Sequence, residues 1–321
     1  VCMMVTLPDV LNALAGLSTA WACSARVLFI AGQIPSPTIG KGHGMLHEIP
    51  NQSGILKSLT KWHGLARTAD EIPALVHEAF RQLRSGHPRP VALEIPPDVL
   101  QASVEAATYF DAAPFDPTPV DADLVAEAGR ILAAARFPVI YAGGGVGAGN
   151  AGEALQALAE KLQAPVVMTE GARGAMSLKH PLALSTLGSR CVLPHADVVL
   201  AAGTRFLDAI ARPIHSSPDC RFIYLNIDKG AAGAPRQAGM DLHGDVRLGL
   251  EALLSTTGTI SPRNSRAEDV SKVKAWESEQ MSAIRPQADF VAILRAHIAD
   301  DATLVSELTQ VGYFSNIAYP V

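Results

Sequence analysis

The sequence is poor in aromatic side chains, in cysteine and in charge of either sign. Its four cysteines stand far apart without a CxxC pair, which gives no pattern of a zinc site or a disulfide framework. The net charge of -5 excludes the basic footprint of proteins that bind nucleic acid or an anionic membrane. No apolar run reaches the length of a membrane span, and the N-terminus lacks the features of a signal peptide. We therefore expect small-molecule partners, neither nucleic acid nor a membrane, and a cytoplasmic location.

Hydrophobic residues, in contrast, make up 48% of the 321 positions, enough to bury more than one core. Amphipathic helical stretches alternate with short apolar runs, as where a predicted helix at 68–86 precedes a strand at 90–95. The helix begins with a Thr68 cap and carries an apolar stripe that includes Phe80. Continuous apolar strands between helices predict parallel sheets covered on both faces. The predicted fold class is therefore α/β, with doubly wound parallel sheets in two consecutive domains and the beginning of a third.

Two stretches rich in proline, glycine or polar residues divide the chain. The first, at 109–122, holds three prolines and three aspartates without periodicity, which is a linker composition. The predicted parts are a partial N-terminal domain at 1–108, a Rossmann-like central domain at 119–256, a linker at 257–287 and the start of a C-terminal domain at 288–321, with a helix at 289–298 and a strand at 303–310. The chain starts without methionine and in what looks like the middle of a strand, so we expect a fragment of a longer protein.

An irregular segment at 32–48, GQIPSPTIGKGHGMLHE, follows directly on a predicted strand. Four glycines, two prolines and two histidines fall within its seventeen positions. Because ligands of parallel sheets bind beyond the carboxyl ends of the strands, this segment is a candidate binding loop. A metal site at His43, His47 and Glu48 is weakly indicated, since the flanking glycines make a helix improbable. We therefore predict no metal ligands.

A second glycine-rich segment contains Gly147, Gly149 and Gly152, a literal GxGxxG between a strand and a helix, with Glu170 ending the next strand. This outline is typical of a dinucleotide-binding fingerprint, although the motif starts several residues after the strand. It leaves a nucleotide (NAD or FAD) binding oxidoreductase as an alternative function. Arg205 could clamp a phosphate or pair with a carboxylate, and Asp228 could accept ribose hydroxyls or cap a helix.

Several segments, taken together, resemble the acetolactate synthase-like group of thiamine diphosphate-dependent enzymes. The resemblance runs through nearly the whole chain in the same order and spacing. The matching positions are Asn12, Gly16 and Ala20, AGQIP at 31–35, SLTKW at 58–62, EAFRQLRSGHPRPVALEIPPDV at 78–99, AGGGVGAG at 142–149, HPL at 180–182, ADVVLAAGTRF at 196–206, LNID at 225–228 and GDVRLGLEALL at 244–254.

The resemblance implies a pyrimidine-binding domain, a central domain and the start of a diphosphate-binding domain. The implied activity is decarboxylation or carboligation of a small 2-oxo acid, with thiamine diphosphate and Mg²⁺ as cofactors. It further implies a homo-oligomer, in which segment 32–48 meets an active site shared between subunits. The activating glutamate and the magnesium-binding stretch of the family match no position here, so we expect the 321-residue chain alone to be inactive.

The resemblance also supplies candidate site residues. Those for catalysis are Gln33, His47 and Glu48, and those for cofactor binding are Asn12, Gly144, Gly145, Gly203, Thr204, Arg205 and Asp228. The sequence departs from the family pattern in three places. Leu7 and Asp9 replace glycines of a turn, which leaves a non-catalytic binding protein as a further alternative. Leu46 and His47 stand where the synthases carry Phe-Gln. His87 and Ala209 replace two flavin-contacting arginines, so FAD binding is doubtful.

Overall fold

The computed structural model describes residues 1–4, 9–105, 109–112, 114, 117–208, 210–257, 262–299, 301–306 and 309–320. The chain divides into two compact units, residues 1–117 and 118–321. Each unit contains one sheet, and every strand pair within the named strands of both sheets is parallel. Helices alternate with these strands along the chain. The predicted α/β class with doubly wound parallel sheets is confirmed.

The first unit contains a four-stranded sheet in the order β1-β2-β4-β3. Most residues of β2 and β4 are buried, because helices cover both faces of the sheet. The elements of this unit are β1 (Cys2–Met4), α1 (Asp9–Ala22), β2 (Leu28–Gly32), α2 (Gln52–Ser58), β3 (Trp62–Leu65), α3 (Ile72–Arg84), β4 (Val91–Ile95) and α4 (Pro97–Gln101).

Helix α3 lies within the predicted helix at 68–86 but begins later, and part of its predicted apolar stripe is exposed. A short 3₁₀ turn, Ala69–Glu71, precedes it, and the Thr68 side chain makes no capping hydrogen bond. Ala79 and Leu83 are buried against the sheet, whereas Phe80 is 44% exposed. The buried face is narrower than the predicted stripe, because only the part of the helix that faces β4 meets the sheet.

The second unit contains a six-stranded sheet in the order β7-β6-β5-β8-β9-β10. All residues of its two central strands, β5 and β8, are buried. The strands are β5 (Pro138–Ala142), β6 (Val166–Met168), β7 (Ala183–Leu184), β8 (Val198–Ala202), β9 (Arg221–Asn226) and β10 (Met240–His243). The helices are α5 (Ala122–Ala134), α6 (Gly144–Ala148), α7 (Gly152–Leu162), α8 (Ser189–Val192), α9 (Val246–Thr256), α10 (Ala267–Ser282), α11 (Gln287–His297) and α12 (Gln310–Ala318).

Helix α10 lies within the stretch predicted as a linker and is anchored to the sheet of the second unit. Val270 is buried in the main core. Oε1 of Glu277 accepts hydrogen bonds from Ser185 N (3.1 Å), Ser185 Oγ (2.6 Å) and Gly188 N (2.7 Å). Burial raises the pKa of Glu277, and these hydrogen bonds only partly offset that effect.

The predicted strand at 303–310 is wrong for the residues that the structure describes. Residues 303–306 have no regular structure, and Gln310 is the first residue of α12. Leu304 instead packs with Val291 of α11 and Phe314 of α12 in a small apolar cluster. A strand requires a neighbouring strand for its backbone hydrogen bonds, and none of the strands described in this unit pairs with this stretch. The predicted helix at 289–298 is present as α11.

Candidate functional site

The carboxyl end of the first sheet gathers buried or half-buried polar side chains from four elements. Gln33 follows β2, Glu94 lies in β4, His63 lies in β3, and Gln52 and Ser53 begin α2. Because parallel strands end at the same edge of a sheet, these residues come together although they are up to 61 positions apart. Gln33, Gln52 and Glu94 are all buried, which is unusual for such residue types unless they are hydrogen-bonded.

The Glu94 carboxylate is the centre of this group and is 0% exposed. Oε1 accepts from Gln33 Nε2 (3.0 Å) and from Gln52 Nε2 (2.6 Å). Oε2 accepts from the hydroxyl of Ser53 and lies 2.5 Å from His63 Nε2. Burial acts to raise the pKa of Glu94, but the hydrogen bonds from His63, Ser53 and Gln52 outweigh it, so the pKa is lowered. The group is therefore an ionised carboxylate at neutral pH.

The irregular segment after β2 forms an exposed loop that Glu48 organises. We call residues 36–48 the crevice loop. The Glu48 carboxylate accepts hydrogen bonds from the backbone amides of Gly42 (2.9 Å), His43 (3.3 Å) and Met45 (3.0 Å). The bond from Met45 is the largest cause that lowers the Glu48 pKa. Glu48 therefore stabilises its own loop. The resemblance had implied a catalytic role for this residue, and its hydrogen bonds in the structure are structural.

The other candidates of the first unit are not brought into this polar cluster. His47 is exposed, with a left-handed φ of 71° in the crevice loop. Asn12 is exposed on α1, and its side chain makes no hydrogen bond with the described residues. Leu7 lies outside the described residues, while Asp9 supplies an acidic side chain to the first turn of α1. Of the family-derived candidates here, only Gln33 is part of the buried polar cluster.

The second sheet reverses its strand order between β5 and β8, and four candidate residues meet there. From β5 the order runs through β6 to β7 on one side, and from β8 through β9 to β10 on the other. The carboxyl-end crevice at such a reversal is the usual ligand position in doubly wound sheets. Gly144 and Gly145 follow β5, and Gly203 and Thr204 follow β8.

These two turns approach each other backbone to backbone. Gly145 N donates to Gly203 O (2.9 Å), and Gly203 has a left-handed φ of 59°. A Cβ atom on Gly145 would lie 2.7 Å from Gly203 Cα, and one on Gly143 would lie 2.4 Å from Gly203 O. Such distances are shorter than any side chain tolerates against backbone. The glycines are therefore required by the close packing of the two turns, whatever ligand the crevice takes.

The remaining candidates lie around this crevice. Thr204 Oγ1 accepts from Phe206 N (3.0 Å), and Thr204 O accepts from Asn226 Nδ2 (2.9 Å). Asn226 Oδ1 in turn accepts from Asp228 N (3.1 Å), so Asn226 links the ends of β8 and β9. Arg205 is exposed and forms no hydrogen bond or ion pair with the described residues. The sequence motif LNID contained Asn226, but its linking role depends on the strand order.

The GxGxxG glycines do not form the turn that a dinucleotide fingerprint requires. Gly147 lies inside α6, Gly149 ends that helix, and Gly152 begins α7. The turn directly after β5 consists instead of Gly143 to Gly145. Gly152 is needed because its Cβ would lie 2.4 Å from Ala175 O. Glu170 is exposed in a 3₁₀ turn after β6. The nucleotide-binding oxidoreductase is therefore not favoured.

Within the described ranges, no group of three or more His, Cys, Asp or Glu side chains is placed to hold a metal ion. All four cysteines are free. None of the described helices combines the length and the apolar character that a membrane crossing needs.

Comparison with known protein families identifies both units. Residues 1–55 match the N-terminal TPP binding domain of thiamine pyrophosphate enzymes, and residues 125–253 match the central domain of the same enzymes. The chain belongs to the thiamine pyrophosphate enzymes. The family suggested by the sequence motifs is therefore confirmed.

Curated relatives of this thiamine pyrophosphate enzyme chain include a decarboxylase and several synthases. A probable 2-ketoarginine decarboxylase of Pseudomonas aeruginosa is 35% identical over 99% of this chain and 58% of its own length. An acetolactate synthase of Mycobacterium bovis is 35% identical over 79% of this chain and 42% of its own length. The acetolactate synthase isozyme 1 large subunit of Escherichia coli is 30% identical over 100% of this chain and 58% of its own length. The chain thus spans about half the length of the curated relatives it matches.

Proposed function

We propose that this chain supplies the N-terminal and central domains of a thiamine diphosphate-dependent enzyme that decarboxylates a small 2-oxo acid, with or without carboligation. The observation that carries the proposal is the order of the two matched domains, each built on its own parallel sheet. The relatives that align over nearly all of the chain include a probable 2-ketoarginine decarboxylase and an acetolactate synthase subunit, which supports a substrate of this class.

The described acidic residues at the carboxyl end of the first sheet do not fit the role of a proton relay to the thiamine ring. Glu94 already accepts four hydrogen bonds, and Glu48 holds the crevice loop. Glu94 has no lone-pair position left for a ring nitrogen, and the Glu48 carboxylate is already used by three backbone amides of its own loop, so we derive no catalytic step through the cofactor. We propose instead that this part of the chain shapes the cofactor crevice: Gln33 at its wall, with His47 and Glu48 in the loop.

For the central domain we propose a scaffolding role with at most weak flavin binding. At the crevice Gly145 packs against Gly203, Gly144 packs against Gly171, and Thr204 packs against Gly143. Arg205 is an exposed cation beside them that could reach an anionic ligand. His87 stands in place of a flavin-contacting arginine and its Nε2 lies 2.8 Å from Ser24 Oγ. An imidazole cannot supply the two-pronged hydrogen bonding of a guanidinium. Ala209, the other replacement, lies outside the described residues.

We further propose a homo-oligomer that works in the cytoplasm. The crevice loop exposes Leu46 to 82%, and an open groove beside it is lined by Leu11, Ile49 and Ile55, surfaces suited to a second subunit. The four free thiols are compatible with a reducing compartment. Sedimentation of the full-length protein as a monomer would contradict the oligomer.

The function is tested with the full-length protein. Calorimetric titration should show binding of thiamine diphosphate in the presence of Mg²⁺. Release of CO₂ should follow from at least one of three 2-oxo acids: pyruvate, an aryl 2-oxo acid or 2-ketoarginine. EDTA should abolish the release and added Mg²⁺ should restore it. A protein that binds no thiamine diphosphate and consumes none of these acids would refute the proposal.

A further inference from the structure

The Glu94 carboxylate cannot itself contact a ligand, because its hydrogen-bonding capacity is filled. A carboxylate offers about four lone-pair positions, and Glu94 accepts from four side chains. Because an ionised carboxylate only accepts, the proton between it and the imidazole lies on His63 Nε2. Any functional effect of this buried charge must therefore act through the groups it holds.

Two of those groups, Gln33 and Gln52, hold the backbone where the crevice begins. Gln33 donates to Glu94 through Nε2, and its Oε1 accepts from Ile34 N (2.8 Å). Gln52 Nε2 donates to Glu94 Oε1 and also to Gly32 O (2.8 Å). The carbonyl before Gln33 and the amide after it are thus both fixed by side-chain amides that point at Glu94.

The negative charge decides which way these amides face. If either amide were rotated by 180°, its oxygen would face the Glu94 carboxylate, and two acceptors would be held together inside the protein. An unpaired buried polar group of this kind is costly. In the orientation that Glu94 allows, Gln52 Oε1 is buried and accepts no hydrogen bond from the described residues. The arrangement leaves one acceptor open beside the end of β2.

We propose that Glu94, supported by His63 and Ser53, is a positioning residue that sets the amide orientations of Gln33 and Gln52 and thereby fixes backbone residues 32–34 at the crevice. This inference deepens the proposed function, and its catalytic consequence rests on that function. Its structural consequence, the order of residues 32–34, does not.

The Glu94→Gln variant tests the first consequence. Its side chain keeps the shape of Glu94 but removes the negative charge, so that Gln33 and Gln52 can donate at most to a neutral amide oxygen. Hydrogen exchange at the Ile34 amide should become at least about tenfold faster, because the Gln33 side chain that accepts from Ile34 N is then no longer held by a charged group. Gln33→Met, which removes the acceptor of Ile34 N outright, sets the upper limit of the effect. Thr60→Val is the matched control, because the buried Thr60 hydroxyl donates to Leu56 O and, among the described residues, has no bond to the Glu94 group.

The second consequence is measured in the full-length holoenzyme. For Glu94→Gln, kcat for CO₂ release should fall about tenfold or more while KM stays within about threefold. Glu94→Asp keeps the charge on a shorter side chain. Its Ile34 protection and its kcat should both be higher than those of Glu94→Gln and lower than those of the wild type. If Glu94→Gln does not fold, Glu94→Asp takes its place, and Ile34 exchange as slow as in the wild type would then overturn the positioning role.

The outcomes are separable. Unchanged Ile34 exchange in Glu94→Gln, or acceleration equal to that of Thr60→Val, would overturn the positioning role. Faster exchange with an unchanged kcat would overturn its catalytic consequence. A wild-type protein that releases no CO₂ would refute the proposed function, and the exchange measurement would still decide whether Glu94 positions residues 32–34.

Discussion

Replacing Gly145 with alanine should destabilise the second unit, whereas the same change two positions on, at Gly147, should not. A Cβ atom on Gly145 would lie 2.7 Å from Gly203 Cα and 2.9 Å from Gly203 O, which are backbone atoms that no rotamer change can move. Around Gly147 there is nothing within 4 Å of the new atom. Both glycines lie in α6, so the pair differs in packing and hardly in helix propensity.

The expected magnitudes follow from these contacts. Forcing a methyl group into a packed contact costs about 1–3 kcal/mol. Either alanine recovers about 0.4–1 kcal/mol by restricting the unfolded chain. Gly145→Ala should therefore lose roughly 1–2 kcal/mol of unfolding free energy, while Gly147→Ala should gain about 0.5 kcal/mol. At roughly 2–4 °C per kcal/mol for a unit of this size, the two melting temperatures should differ by about 3–10 °C.

Urea and thermal unfolding of the 321-residue chain, followed by far-ultraviolet circular dichroism, measure this difference. Equal spectra of the folded variants establish that the sheet is intact. If the two variants agree within about 0.5 kcal/mol, the close approach of the two glycine turns is not a constraint on the fold and the reasoning fails.

Three further predictions concern buried or organising groups. Glu277→Ala should lose about 1–3 kcal/mol, because the Ser185 amide and hydroxyl lose their acceptor, while Glu277→Gln keeps Oε1 and should stay near wild type in urea unfolding at pH 4. The folded pKa of Glu277 is raised above its usual 4.5. The wild type should therefore lose stability relative to Glu277→Gln as pH rises from 4.5 through the folded pKa, and a flat difference between pH 4 and 7 would contradict this. Glu48→Ala should speed proteolytic cleavage of the crevice loop, and the wild-type loop should loosen likewise as pH falls through the lowered pKa of Glu48; equal cleavage rates would count against its organising role. Burial raises the pKa of Cys220 to about 11, so at pH 8 a disulfide reagent should label the exposed Cys23 well before Cys220, as peptide mapping can check.

The sequence was sufficient for the fold class because that depends on local pattern. Continuous apolar runs such as 198–202, separated by amphipathic helices, occur where both faces of a parallel sheet are buried, and β8 is buried at every position. The prediction was wrong where a short apolar run had no strand to pair with, at 303–306. Periodicity over so few residues does not separate a strand from an irregular segment that packs by its side chains.

The candidate site was only partly predictable for a related reason. Gln33 was found from a motif, but nothing local in the sequence connected it with Glu94, His63 or Gln52. Their association comes from the strand order β2-β4-β3, which places residues from distant parts of the chain at one sheet edge. Glu48 was found by position in the loop, yet its actual hydrogen-bond partners are backbone amides, which carry no sequence signal.

What the sequence alone determined is therefore the class of fold, the family and the places where strands end. What only the tertiary structure decided is the state of each polar group at those ends. It shows that the Glu94 carboxylate is saturated, that one acceptor of Gln52 is open, and that Gly145 and Gly203 touch through their backbones. The physical reason is that hydrogen bonding and close packing depend on distances of a few ångströms between residues that the sequence separates by dozens of positions.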